Sequence, residues 1–156
     1  MKRIAFSIIL FLAIPIIACL TFAQPIKPNL TGSWKRVTIS GAGNRGTEVM
    51  TFFHDEPYLY LLYRINDGLG KRALDLKGII DGKPHTQEID GRPATLIVQW
   101  EGPNLILEIK REASFGYAHS RRKLIFSDDG RAMTAERTDY TKEGASGTST
   151  EKWERQ

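Results

Sequence analysis

Three histidines, His54, His85 and His119, are the side chains of this sequence best suited to hold a metal, since three imidazoles and a water complete a tetrahedral zinc site. No two of them form a His-x-His or His-x-x-x-His pair that would preset two ligands on one element. Each falls at a turn or a strand start and reads as a turn or surface histidine, so no metal and no cofactor are expected. Nucleophilic chemistry is as thinly supported. Ser114, Ser120, Ser127, Ser146 and Ser149 lie in polar or turn contexts, and none occupies a Gly-x-Ser-x-Gly elbow. The adjacent acids Asp55/Glu56 and Asp128/Asp129 sit in turns, where Asp satisfies backbone donors with its own side chain. Glycoside hydrolysis, by contrast, needs two carboxyls facing each other across about 5–9.5 Å. No catalytic residue is assigned, and the chain is read as a non-enzyme.

Aromatic residues offer a different chemistry. Tyr58, Tyr60, Tyr63, Trp100, Phe115 and Tyr117 could line an apolar cavity with a few polar groups, the usual character of a pocket for a flat or acyl ligand. The same side chains would also fill the interior of a small barrel and leave no void. The candidate ligand-binding residues are Tyr58, Tyr60, Trp100, Phe115 and Tyr117, with Phe115-Gly116-Tyr117 as a rim. The basic runs Lys71-Arg72, Lys110-Arg111 and Arg121-Arg122-Lys123 could meet anionic lipid or polysaccharide. Neighbours on a strand point to opposite faces, however, so only half of each run can join one patch. Glu48, Glu108, Glu112 and Glu136 are expected to neutralise it, leaving a mixed solvated surface.

The N-terminus carries an address. Met1-Lys2-Arg3 places two cations ahead of an uncharged run, Ile4 to Ala23, which ends in Thr21-Phe22-Ala23 before Gln24 and Pro25. This is the pattern of an export signal over residues 1–23, with a mature chain starting at Gln24. The only cysteine, Cys19 in Ile16-Ile17-Ala18-Cys19, also reads as a lipidation box, which would tether the domain to an envelope by acyl chains. A retained membrane span fits less well, because Thr21, Ala23-Gln24 and Pro25 suit a peptidase better than a stop-transfer flank, and none is expected in the mature chain. The expected location is periplasmic or secreted, with anchoring through Cys19 as the alternative. Removing the leader takes away Lys2 and Arg3 and no acid. The 22 cations against 18 acids become 20 against 18, and the formal charge falls from +4 to +2. So small an excess creates no strong basic field, and no nucleic-acid partner is expected. Without cysteine, the mature domain must be stable from its apolar core alone.

The elements that would position these groups are strands. Gln24 to Asn29, with Pro25 and Pro28, is a short extended lead to one domain over residues 30–156. Turn signals then recur at Gly41 to Gly46, Asp55-Glu56-Pro57, Asn66-Asp67-Gly68, Asp81-Gly82, Asp90-Gly91, Gly102-Pro103-Asn104, Phe115-Gly116, Asp128-Asp129-Gly130 and Gly144 to Gly147. Nine turns imply about ten strands. Leu105, Leu107 and Ile109 share one face of a strand against Ile106, Glu108 and Lys110, and Ala94, Leu96, Val98 and Trp100 share another. Tyr58 to Ile65 is apolar on both faces and needs cover on both. The expected fold is all-β: a single antiparallel up-and-down barrel of about 8–10 strands, closed because closure removes exposed edges.

Leu30-Thr31-Gly32-Ser33-Trp34-Lys35 resembles the Gly-x-Trp opening of lipocalin-like (calycin) barrels. The sequence is similar, too, to a group of small exported bacterial β-barrel proteins. Their later features correspond here to Asp81-Gly82-Lys83-Pro84-His85, Trp100-Glu101-Gly102, Leu124 to Arg131 and the closing Thr148 to Gln156. The resemblance implies that Trp34 closes one barrel end beneath an arginine near the last strand. Arg137 and Arg155 both qualify, and Gly32, Trp34 and Arg137 are taken as the barrel-closing set. The implied function is a non-enzymatic binding module for a small apolar or amphipathic ligand. The alternative is an envelope-accessory domain with a filled interior that meets a protein partner through an exposed strand face such as Tyr58 to Ile65.

Overall fold

Short apolar runs punctuated by turn residues become ten antiparallel strands in the computed structural model, which describes residues 27–40, 46–66, 70–113, 116–142 and 144–156. Among them there is no helix. The strands are β1 (Gly32–Ser40), β2 (Thr47–Asp55), β3 (Tyr58–Asn66), β4 (Lys71–Ile79), β5 (Pro84–Ile89), β6 (Arg92–Glu101), β7 (Asn104–Ala113), β8 (Gly116–Phe126), β9 (Ala132–Thr141) and β10 (Gly144–Arg155). Each pairs with its neighbour in sequence except at β4 and β5, and β1 pairs with β10, so the meander curls into a nearly closed barrel. The leader with Cys19, the start of the lead at residues 24–26, and Phe115 lie outside the described residues.

Turn chemistry sets the hairpins where the sequence places it. Asp90 and Gly91 both have positive φ, 52° and 72°, as a two-residue type I′ connection requires. The last turn differs from expectation. Gly144 to Gly147 is not a turn but the start of β10, paired with Thr141 to Asp139, and a bulge between Ala145 and Gly147 absorbs the irregular register. Small residues there accommodate a bulged strand as readily as a loop.

Strand alternation divides the wall cleanly. Leu105, Leu107 and Ile109 face inward, as do Ala94, Leu96, Val98 and Trp100, while Ile106 is buried on the outer face among longer polar neighbours. Burial is graded along the barrel axis. At the end where β1 begins, the inward residues Trp34, Phe52, Leu59, Val98, Leu105, Leu124, Met133 and Trp153 are almost wholly buried. Toward the other end, Ile65, Leu74, Ile109, Ser120, Arg137 and Ser149 occupy equivalent inward positions and keep accessible surface.

One seam interrupts the ring. β4 and β5 share no ladder; Gln87 of β5 accepts the Lys77 N–H of β4 at 3.1 Å, and the segment after β4 reaches past β5 to β6, where Gly82 N–H donates to the Val98 carbonyl at 2.9 Å. Gly78 allows this close approach. A Cβ added there would stand 2.6 Å from Val98 Cγ2 and 3.2 Å from Leu96 Cδ2. Gly78→Ala is expected to lower unfolding free energy in urea by about 1–3 kcal/mol through overpacking. Gly147→Ala, with nothing within 4 Å of its added Cβ, should stay within about 0.5 kcal/mol of the parent.

Candidate functional site

The end of the barrel nearest the lead is sealed. Trp34 is fully buried, donates its indole N–H to the Leu30 carbonyl at 3.3 Å and meets Phe126 edge-on at 5.7 Å. Its cover is Arg155, not Arg137. The Arg155 guanidinium lies 5.0 Å from the Trp34 ring and donates to the carbonyls of Asn29 at 2.9 Å and Thr31 at 2.7 Å. Gly32 leaves room for it, since a Cβ there would come within 3.2 Å of Arg155 Nε. Arg137 pairs with Ser149 of β10, six residues from Arg155, and engages Asp139 at 2.8 Å.

Above this apolar plug the interior changes character. Four charged side chains point inward, each two residues along its strand from a core residue: Arg36 from Trp34, Glu48 from Met50, Arg122 from Leu124 and Glu151 from Trp153. Arg36 Nη1 contacts Glu48 Oε1 at 2.5 Å, with both side chains buried. Tyr63 donates its hydroxyl to Glu48 Oε2, lies edge-on to Trp153 and carries the Arg122 guanidinium 5.0 Å above its ring. Burial opposes the charge on Arg122, but Glu151, Tyr63 and Glu48 outweigh it and hold its pKa above the ordinary guanidinium value. Burial also works on Tyr63: together with the hydrogen bond to Glu48, and against the pull of Arg122, it pushes the phenol up to about 12. The layer still contains unpaired buried atoms: Arg36 Nη2, Arg122 Nε, Glu151 Oε2 and Trp153 Nε1. Buried polar atoms of this kind ordinarily have partners.

Beyond the ionic layer the inward positions are less buried: Arg122 keeps accessible surface, as do the apolar Ile65, Leu74 and Ile109 and the polar Ser120, Arg137, Asp139 and Ser149. This end of the barrel combines apolar positions with a few polar groups, the make-up of small-molecule sites.

The predicted ligand residues are not brought together. Tyr58 and Tyr60 point outward from β3, opposite to Tyr63, and with Phe53 and Lys77 line an open groove of about 520 Å³ on the outer wall. Phe53 is 54% and Tyr58 62% exposed, so the outer face of β3 does not receive the cover its apolar pattern calls for. Trp100 is on the inner face but at the sealed end, donating to Glu56 at 2.8 Å beneath Lys27. Tyr117 falls in β8 opposite Glu112 rather than in a turn, and nothing further is described of it.

Several titratable groups away from the ionic layer have local partners. The three histidines stand apart: His85 bonds Asp81 at 3.0 Å, and His119 bonds Glu108 at 2.8 Å and stacks on Tyr140. His54 corrects the surface reading, because its ring is buried beside Trp100 with Glu56 at 3.5 Å. Burial would raise the Glu108 carboxyl, but Lys110 and His119 hold it below its ordinary value. Asp129 accepts from Ser127 and the Arg131 N–H, which is turn chemistry. The basic runs are broken up as alternation demands: Arg121 and Lys123 face Glu101 outside, while Arg122 turns in. Glu48, expected to offset a surface patch, belongs to the interior.

No protein-family model matches the chain, nor does any curated protein sequence. Solved structures do match. A zebrafish ileal bile acid-binding protein complexed with cholic acid superposes at TM-score 0.57 with 14% identity, over 81% of this chain and 98% of that one. A Schistosoma mansoni fatty acid binding protein in complex with arachidonic acid does so at 0.54 with 17% identity, over 81% and 96%. A heat-soluble SAHS protein from Ramazzottius varieornatus reaches 0.60 with 9% identity, over 86% and 100%. The fold is that of a calycin barrel. At these identities the likeness extends to the fold alone.

Tyr63 provides a pH test of the ionic layer. Its phenol titrates near 10 when unfolded and at about 12 in the folded chain. The neutral form is therefore favoured by folding; its contribution is complete below pH 10 and lost as pH rises toward 12. Urea stability should fall across that window. In Tyr63→Phe, which cannot ionise, this part of the alkaline loss should disappear.

Proposed function

We propose that this chain is an exported, non-enzymatic carrier that holds a small amphipathic molecule in the upper half of its barrel. The observation that carries the reading is the change in burial along the axis: inward side chains are sealed below the Arg36–Glu48–Arg122–Glu151 layer, while above it Ile65, Leu74, Ile109, Ser120 and Ser149 keep accessible surface although Ala94 and Ile89 stay buried. The neighbours in fold agree with it, one being complexed with cholic acid and another with arachidonic acid. The leader supports the export part, with release at Gln24 preferred to a lipid anchor at Cys19. A second reading rests on a separate observation, the exposed Phe53 and Tyr58 on the outer wall, which suit contact with a protein partner.

Trp153 adjoins the ionic floor, whereas Trp100 sits at the sealed end. Titration with long-chain acids, alcohols and monoacylglycerols should shift tryptophan emission. That response should vanish in Trp153→Phe and persist in Trp100→Phe. Silence across the whole panel would remove the carrier reading and leave the interaction reading. For export, intact mass of the protein recovered from its native host should give a chain beginning at Gln24; an acylated Cys19 would replace release by anchoring.

A further inference from the structure

The outer wall over β2, β3 and β4 carries an apolar face that the described residues leave uncovered. Strand register sets its rows: Tyr58 stands between Asp55 and Ile79, Tyr60 between Phe53 and Lys77, and Leu62 between Thr51 and Asp75. Phe53 and Tyr58 are two of the three large hydrophobic side chains exposed among the described residues, and the Phe53 and Tyr60 rings lie 5.8 Å apart. The open groove of about 520 Å³ runs across these rows. Exposed apolar surface of this kind, rimmed by polar residues, marks a contact site.

Charge selects the partner. Asp55 and Lys77 are exposed on opposite flanks of β3, and neither side chain has an ion pair or hydrogen bond among the described residues, whereas Asp75 is engaged by Tyr60. Around the aromatic rows the acids Asp55 and Asp75 outnumber Lys77, which makes an anionic lipid surface a poor match; Arg64, Lys35 and Lys71 lie further along the wall. A second copy supplies both missing charges at once. A two-fold axis in the plane of contact, crossing β3 midway between Asp55 and Lys77, falls between Tyr58 and Tyr60. It lays each Asp55 against the Lys77 of the other copy, the reciprocity of an isologous interface, and closes the aromatic rows on each other. We propose that this face pairs with a second copy of the chain, the rings supplying affinity and the two ion pairs the register. The pairing rests on the interaction reading of the outer wall. It is independent of the carrier reading, because Tyr58 and Tyr60 point away from the interior.

Sedimentation of the processed protein recovered from its native host, followed from micromolar to millimolar concentration, should show a mass rising to that of two chains. Asp55→Lys and Lys77→Glu each set like charges against each other across the axis and should weaken self-association about tenfold or more. Both positions are exposed, and thermal unfolding confirms that the variants are folded. Mixing the two variants should restore pairing: the new lysine of one meets the new glutamate of the other, and the native Lys77 and Asp55 form the second pair. A parent that stays monomeric, single variants that associate like the parent, or a mixture no tighter than either variant alone would each overturn the pairing. Benzoylphenylalanine in place of Tyr58, photo-activated in the native host, separates the pairing from the broader interaction reading. A crosslinked product of two chains supports the pairing. A product with a different protein overturns it and leaves the interaction reading, and no product overturns both.

Discussion

Two guanidinium groups and two carboxylates buried at one level of a β-barrel constrain everything around them. Removing ions from water costs several kcal/mol each, and only close pairing with added hydrogen bonds offsets it. The groups come from β1, β2, β8 and β10, with Tyr63 of β3 completing the set. A strand that slipped by one residue would turn its charge outward and an outer side chain inward. The layer thus couples the registers of five strands. Isolated hydrophobic pairs could not impose this, because one apolar contact substitutes readily for another.

That layer also divides the barrel into two parts with different tasks. Below it, Trp34, Phe126, Leu124, Met133 and Trp153 are packed as a solid core, and Arg155 ties the lead, the start of β1 and the β8–β9 connection across the end. Above it, apolar and polar positions alternate around accessible space. The solid core lies in one half, and the inward positions of the other half carry more accessible surface.

Much of this was readable in the residues. Turn chemistry located the connections at Asp55-Glu56-Pro57, Asp81-Gly82, Asp90-Gly91, Gly102-Pro103-Asn104 and Asp128-Asp129-Gly130, and the two-residue period in β6 and β7 assigned inner and outer faces correctly, because in a half-buried strand a single alternation carries both facts. Gly144 to Gly147 misled, since small residues mark a bulge and a loop alike. Arg137 and Arg155 could not be separated by type; what distinguishes them is height on the barrel wall, which depends on strand register. Tyr58 and Tyr60 drew attention as aromatics, but a strand apolar on both faces does not reveal which face is inside. The ionic layer, too, has a signal in the sequence. Arg36, Glu48, Arg122 and Glu151 each interrupt an inward apolar series at its next position, and four such interruptions on four strands mark a common depth.

The seam between β4 and β5 has a mechanical meaning. A ring of unbroken ladders has a fixed circumference, because widening it anywhere requires breaking a row of backbone hydrogen bonds. Here the hoop is split, and across the split the link between β4 and β5 is a side-chain amide, Gln87, with β4 braced against β6 at Gly78. Opening the ring here would break the Gln87 contact and the Gly82–Val98 backbone hydrogen bond rather than a full ladder, so the seam is where the girth of this barrel costs least to change.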